Sequence, residues 1–102
     1  MNFDLHDNSV LVTGSSRGIG KEIAREFLKC GATVVINGFN RESLEKTLNE
    51  LNLEKKYGIC ADVTKPLEAK KLIEKSAKIL NKINTIVCNV GSGRSVPPGH
   101  ED

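Results

Sequence analysis

Short, β-rich apolar runs alternate with longer amphipathic stretches along this chain, and that alternation narrows the fold more than any single residue does. "SVLVT" (9–13) is a brief apolar run closed by a glycine, as a buried parallel strand would be. Ile19, Ile23, Ala24, Phe27 and Leu28 then recur at spacings of three and four, which predicts a helix ending near Cys30 with Gly31 as its C-terminal cap. "ATVVIN" (32–37) is β-branched and bounded by Gly31 and Gly38, so it reads as a second strand. Leu44, Leu48 and Leu51 give a second amphipathic helix within "RESLEKTLNELN", and "YGIC" (57–60) is a brief third strand. Thr64 is read as the N-cap of a third helix with Pro66 in its first turn, and Ala69, Leu72, Ile73, Ala77 and Leu80 as its buried side. "NTIVCN" (84–89) supplies a fourth strand. The glycine- and proline-rich remainder, 92–102, reads as a loop or tail.

Connections long enough to hold helices require parallel strands joined by right-handed crossovers. The expected fold is therefore α/β, half of a doubly wound parallel sheet, in a single unit over residues 1–91. In such sheets ligands bind at the carboxyl ends of the strands, where the strand order reverses. A chain of 102 residues suits one small domain. Its 15 basic and 13 acidic residues leave a net charge of +2 with no block of like charge, which argues against a dedicated nucleic-acid or membrane surface. "MNFDLHDNS" has acidic residues and no apolar core of signal-peptide length, and no run approaches a membrane span, so a cytoplasmic setting is expected. Cys30, Cys60 and Cys88 lie far apart without a CxxC pair, and each is expected to act as a small buried hydrophobe. His6 and His100 are expected at the surface, and no metal site is visible.

Between the first strand and first helix stands "TGSSRGIG", with Gly14, Gly18 and Gly20. Glycine permits the sharp turn and a close approach by ligand or strand, while the open helix start, with its dipole, favours an anion such as a pyrophosphate. A mononucleotide loop of the form GxxxxGK[ST] is excluded. Aligning Gly20-Lys21 puts Ser15 where its first glycine belongs, and Glu22 where a magnesium-binding hydroxyl belongs.

The pattern TGxxxGxG over residues 13–20, "NG" at 37–38, "ADVT" at 61–64 and "CNVG" at 88–91 together resemble the amino-terminal half of a short-chain dehydrogenase/reductase. The style is that of the 3-oxoacyl-[acyl-carrier-protein] reductases, and the resemblance covers residues 5–91. It implies a Rossmann-type sheet of strand order 3-2-1-4 with three helices, and a nicotinamide dinucleotide as partner. By that resemblance Ser15, Ser16, Arg17, Gly18 and Ile19 surround the phosphates and adenosine ribose, with Gly14 and Gly20 shaping the turn. Asn37 ends the second strand beside them, Asp62 and Val63 flank the adenine, and Asn89 and Gly91 lie by the nicotinamide-side ribose. Two readings stay open at two of these positions. Asp62 is either an adenine acceptor or a turn residue before the third helix, and Asn89 either contacts the ribose or ties the fourth strand to its neighbours.

The cofactor follows from charge. "INGFNRE" has no acid before Glu42, where an NAD site carries one for the ribose hydroxyls, and Arg17 with Arg41 can meet a 2′-phosphate, so NADP is favoured over NAD. Phe39 departs from the family, standing where many NADP-dependent relatives have arginine. Arg41 also reads as a solvated first-turn residue, and Arg94 as part of a solvated tail. Relatives use a serine and a YxxxK pair for proton transfer. Here the single tyrosine, Tyr57, is followed four residues later by Ala61, so no catalytic residue is assigned. Two functions are weighed: the NADP(H)-binding portion of a short-chain oxidoreductase whose catalytic half lies elsewhere, or a stand-alone nucleotide-binding or assembly module. In either case the fourth strand is expected to be an open edge, available for self-association or pairing.

Overall fold

The computed structural model describes residues 4–89. Four strands, β1 (Ser9–Val12), β2 (Thr33–Gly38), β3 (Gly58–Cys60) and β4 (Thr85–Val87), form one sheet of order β3-β2-β1-β4. All three pairings are parallel. The connections are the helices α1 (Gly18–Lys29), α2 (Arg41–Glu50) and α3 (Pro66–Leu80), with a single 3₁₀ turn at Lys55–Tyr57 before β3. The expected Rossmann-type half-sheet is the observed one.

Period-two alternation in the strands divides the core into two layers. Val10 and Val12 of β1, with Val34 and Ile36 of β2, face α1 and α2 and pack on Ala24, Leu44 and Leu48. Leu11 and Val35 face the opposite way, with Ile59, against Leu72 and Leu80 of α3. Val10, Leu11, Val12, Val34, Val35 and Ile36 are all fully buried. That explains why both strands read as continuous apolar runs instead of alternating patterns: each face has its own helix layer. Burial of one such side chain contributes about 1.5–3 kcal/mol relative to exposure.

Helix ends follow local chemistry. Gly31, at φ +95°, donates its N–H to the Leu28 carbonyl and closes α1 as expected. The Asn40 side chain accepts from the Ser43 amide and opens α2.

Four expectations need correction. Thr64 does not cap α3: Lys65 holds the N-cap position without a side-chain bond, and Thr64 turns back to Asp62 instead. Ile73 is 45% exposed, because the row Leu72, Ser76 and Leu80 faces the sheet and Ile73 lies a residue further round. Tyr57 belongs to the 3₁₀ turn and precedes β3, with the Lys56 ammonium 5.2 Å from its ring centroid. The cysteines are free thiols but not core residues: Cys30 and Cys60 are half-buried and Cys88 is exposed. His6 is exposed as expected, and His100 lies outside the described residues. Within residues 4–89, no helix is long and apolar enough to cross a membrane.

Candidate cofactor site

The carboxyl ends of the four strands meet around the turn that follows β1. Its first half is held from beneath. Ser15 is fully buried; its amide donates to the Asn37 carbonyl (2.7 Å), and its hydroxyl donates to the Val12 carbonyl (2.7 Å) while accepting from the Asn37 amide (2.9 Å). The Asn37 side chain is just as fully used. Its oxygen accepts from the Gly14 amide (3.0 Å), and its nitrogen donates to the carbonyls of Ile59 (3.0 Å) and Ala61 (3.2 Å). One buried amide thus ties β1, β2 and β3 together just below the turn. Ser15 and Asn37, both expected beside the ligand, are placed by the structure under the turn and away from solvent, because a buried polar group must find its partners inside.

On the other side, Asn89 follows β4. Its amide N–H donates to Thr13 Oγ1 (3.0 Å) and its side-chain nitrogen to the Gly14 carbonyl (3.1 Å). The tie to a neighbouring strand, one of two readings of this residue, is therefore present. Gly20 lies against the same spot: a Cβ there would overlap both the Gly14 carbonyl and the Asn89 side chain. Only glycine lets α1 start this close to β1 and β4.

The upper surface of the turn differs. Ser16 is half-buried, and Arg17, Gly18 and Ile19 are exposed, Ile19 to 66%. Gly18 has φ +64°, and a Cβ built on it would meet nothing within 4 Å, so its side chain is missing for conformation and leaves open space above the helix start. Charge at the three helix starts makes a further contrast. α2 begins with the Asn40 cap and Glu42, and α3 with Glu68 in its first turn, whereas α1 has neither a side-chain cap nor a first-turn acid. No carboxylate of the first turn offsets the positive end of the α1 dipole.

At the ends of β2 and β3 the geometry is mixed. Phe39 is 75% exposed, and Arg41, in the first turn of α2, is also exposed. Asp62 makes a side-chain turn: its Oδ1 accepts from the Thr64 amide (3.0 Å) and hydroxyl (2.6 Å), and its own amide donates to Glu68 (2.8 Å). This is the turn-residue reading of Asp62, stabilised by a Glu68 that sequence spacing did not single out. Val63 is half-buried beside it and packs on the α3 layer. Gly91 lies outside the described residues, as does Arg94. An apolar groove of about 690 Å³ runs along α1, lined by Leu5, Ile23, Phe27 and Cys30 among others, and reaches the turn only at Gly18 and Ile19. It is a flank of the helix and not the crevice at the strand ends.

Parallel order 3-2-1-4, a glycine turn at the reversal point and an open helix start define a dinucleotide-binding half-sheet. The family model for short chain dehydrogenases matches residues 8–101, and the chain belongs to that family. The uncharacterized oxidoreductase YvrD of Bacillus subtilis is 40% identical over 92 residues, covering 89% of this chain and 35% of that protein. Among solved structures, Pseudomonas aeruginosa RhlG in an NADP active-site complex superposes with a TM-score of 0.77 at 32% identity, over 88% of this chain and 37% of that one. A 3-ketoacyl-(acyl-carrier-protein) reductase from Brucella melitensis complexed with NADH gives a TM-score of 0.72 at 25% identity, over 81% and 34%. The chain thus spans about a third of the length of the proteins it matches.

Proposed function

We propose that this chain is the NADP(H)-binding portion of a short-chain oxidoreductase of the 3-oxoacyl-reductase kind. The observation that carries the reading is the start of α1, exposed and glycine-lined, with neither cap nor acid, at the point where strand order reverses. Backbone amides and the helix dipole there suit a pyrophosphate. Ser16, Arg17, Gly18 and Ile19 would face the phosphates, with Ser15, Asn37, Gly14 and Gly20 supporting them from below. Asp62 and Val63 would border the adenine, and Asn89, with Gly91, the second ribose. When bound, the nicotinamide supplies hydride chemistry; the residues of this chain bind and orient it.

Solved neighbours hold NADP in one case and NADH in another, so likeness does not choose between them. Charge does. No acid stands between Ile36 and Glu42 to repel a 2′-phosphate, and Arg17 and Arg41 lie at the exposed ends of the turn and of β2. The test is titration with NADPH and NADH under matched conditions. Arg17→Ala is expected to weaken NADPH binding roughly tenfold and leave NADH nearly unchanged, as removal of a charge-assisted hydrogen bond would. Equal affinities in both proteins would overturn the NADP assignment.

The second reading, a binding module without turnover, is favoured by the tyrosine. Tyr57, the only one, packs at the foot of β3 with no lysine four residues on. Under the first reading the proton-transfer groups come from another stretch of polypeptide. That stretch, or a second copy of the chain, would pair with the open edge of β4. Three free thiols suit a reducing compartment such as the cytoplasm.

A further inference from the structure

The second half of the turn, Ser16–Arg17, is held from a different direction than the first. In the middle of α2, Thr47 is 2% exposed and its hydroxyl donates to the Ser16 carbonyl oxygen. Threonine is a poor choice for a helix interior, and a buried hydroxyl needs a partner to offset its desolvation. Within a helix that partner is commonly the carbonyl one turn back. Here the bond goes to the loop instead. Ser16 is confined on a second side by the end of β2, where a Cβ on Gly38 would come within 2.8 Å of the Ser16 Cβ. α2 is itself braced against α1 by the ion pair between Glu50 and Lys21.

We infer that Thr47 is a positioning residue for the anion-holding turn. In a trans peptide the carbonyl and the following N–H point in opposite directions. Drawing the Ser16 carbonyl toward α2 therefore sets the plane of the 16–17 peptide and turns the Arg17 amide away from α2. The same bond sets the direction in which the chain enters Gly18 and α1. The helix that follows β2 thus controls the loop that follows β1, and a change at Thr47 is transmitted to phosphate binding without any contact between that side chain and the ligand. The inference rests on the reading of the turn as a dinucleotide site.

Two variants test it. Thr47→Val keeps the shape and removes the hydroxyl; Thr47→Ser keeps the hydroxyl. NADPH titrations well below the unfolding temperature are expected to show Thr47→Val binding roughly three- to tenfold more weakly, the range of one lost hydrogen bond, and Thr47→Ser within about twofold of the native protein. A purely structural role would lower the thermal midpoint and leave the affinity of the folded protein unchanged, so Val and native affinities agreeing within twofold would overturn the inference. A second measurement needs no ligand: amide hydrogen exchange of residues 16–19 is expected to quicken in Thr47→Val while the amides of Leu44 and Leu48 stay protected. Unchanged exchange at 16–19 would count equally against it. If the native protein binds neither coenzyme, the dinucleotide reading falls, and the exchange experiment still decides whether Thr47 holds the turn.

Discussion

β1 and β4 are hydrogen-bonded neighbours of similar apolar composition, yet they lead different lives. Leu11 pairs with Val35 on one side and Ile86 on the other, so all three point to the same face of the sheet. Leu11 and Val35 are fully buried under α3, whereas Ile86 is 44% exposed. Burial in this molecule is a property of position in the sheet more than of the residue. Where helices cover both faces the strand is sealed; β4 is an edge strand whose outer side has no strand partner among the described residues. The site lies on the seam between the two regions, since Asn89 at the end of β4 reaches across to the turn after β1.

The comparison breaks most directly at its paired residues. Leu11→Ala is expected to cost about 2–5 kcal/mol in urea unfolding, and Ile86→Ala less than about 1 kcal/mol, because only the first leaves a cavity. Equal costs would mean that β4 is covered in solution. If a second copy pairs there, the cost of Ile86→Ala should rise with protein concentration, and sedimentation velocity should show a larger species.

A smaller effect sharpens the covered side. Ser76 faces the sheet between Leu72 and Leu80, fully buried, and its hydroxyl has no hydrogen-bond partner among the described residues. Ser76→Ala should therefore stabilise the fold by about 1 kcal/mol, the scale of an unmet buried hydroxyl. A loss of stability would show that the hydroxyl is satisfied after all.

The smallest effect concerns acid. Hydrogen bonding to Lys21, aided by the charges of Lys21, Lys46 and Arg25, holds the Glu50 carboxyl below the usual carboxylate range. A folded-state pKa lowered in this way gives stability that is present above the unfolded value and is lost as pH falls through the folded one. Glu50 is well exposed to solvent, so the contribution is slight and screened by salt. Melting curves of native and Glu50→Gln proteins should differ a little at neutral pH and converge in acid. A gap that widens below pH 4 would reverse the assignment.

Much of this was legible beforehand, for local reasons. β-branched runs, helical stripes, the Gly31 cap and the glycine turn are each written in a few consecutive residues. What escaped was set by partners distant in the chain. Asn37 was expected at the end of a strand beside the ligand, and no spacing rule reveals that its side chain serves three strands. Thr47 lay unremarked inside a helix, because its bond crosses to a residue 31 positions away. The cysteines were misread for the same reason: apolar runs foretell strands and helices, but their ends are where packing stops.

By itself, then, the amino-acid order determined the alternation of elements, their parallel connection and a glycine-rich helix start without acids, all consequences of local backbone preference, hydrophobic period and composition. Only the tertiary structure decided which polar groups support the turn and which face outward, which apolar residues are sealed, and that α2 reaches the turn after β1. Those outcomes depend on hydrogen bonds and burial between residues brought together by the sheet, and such neighbours exist only once the strands have paired.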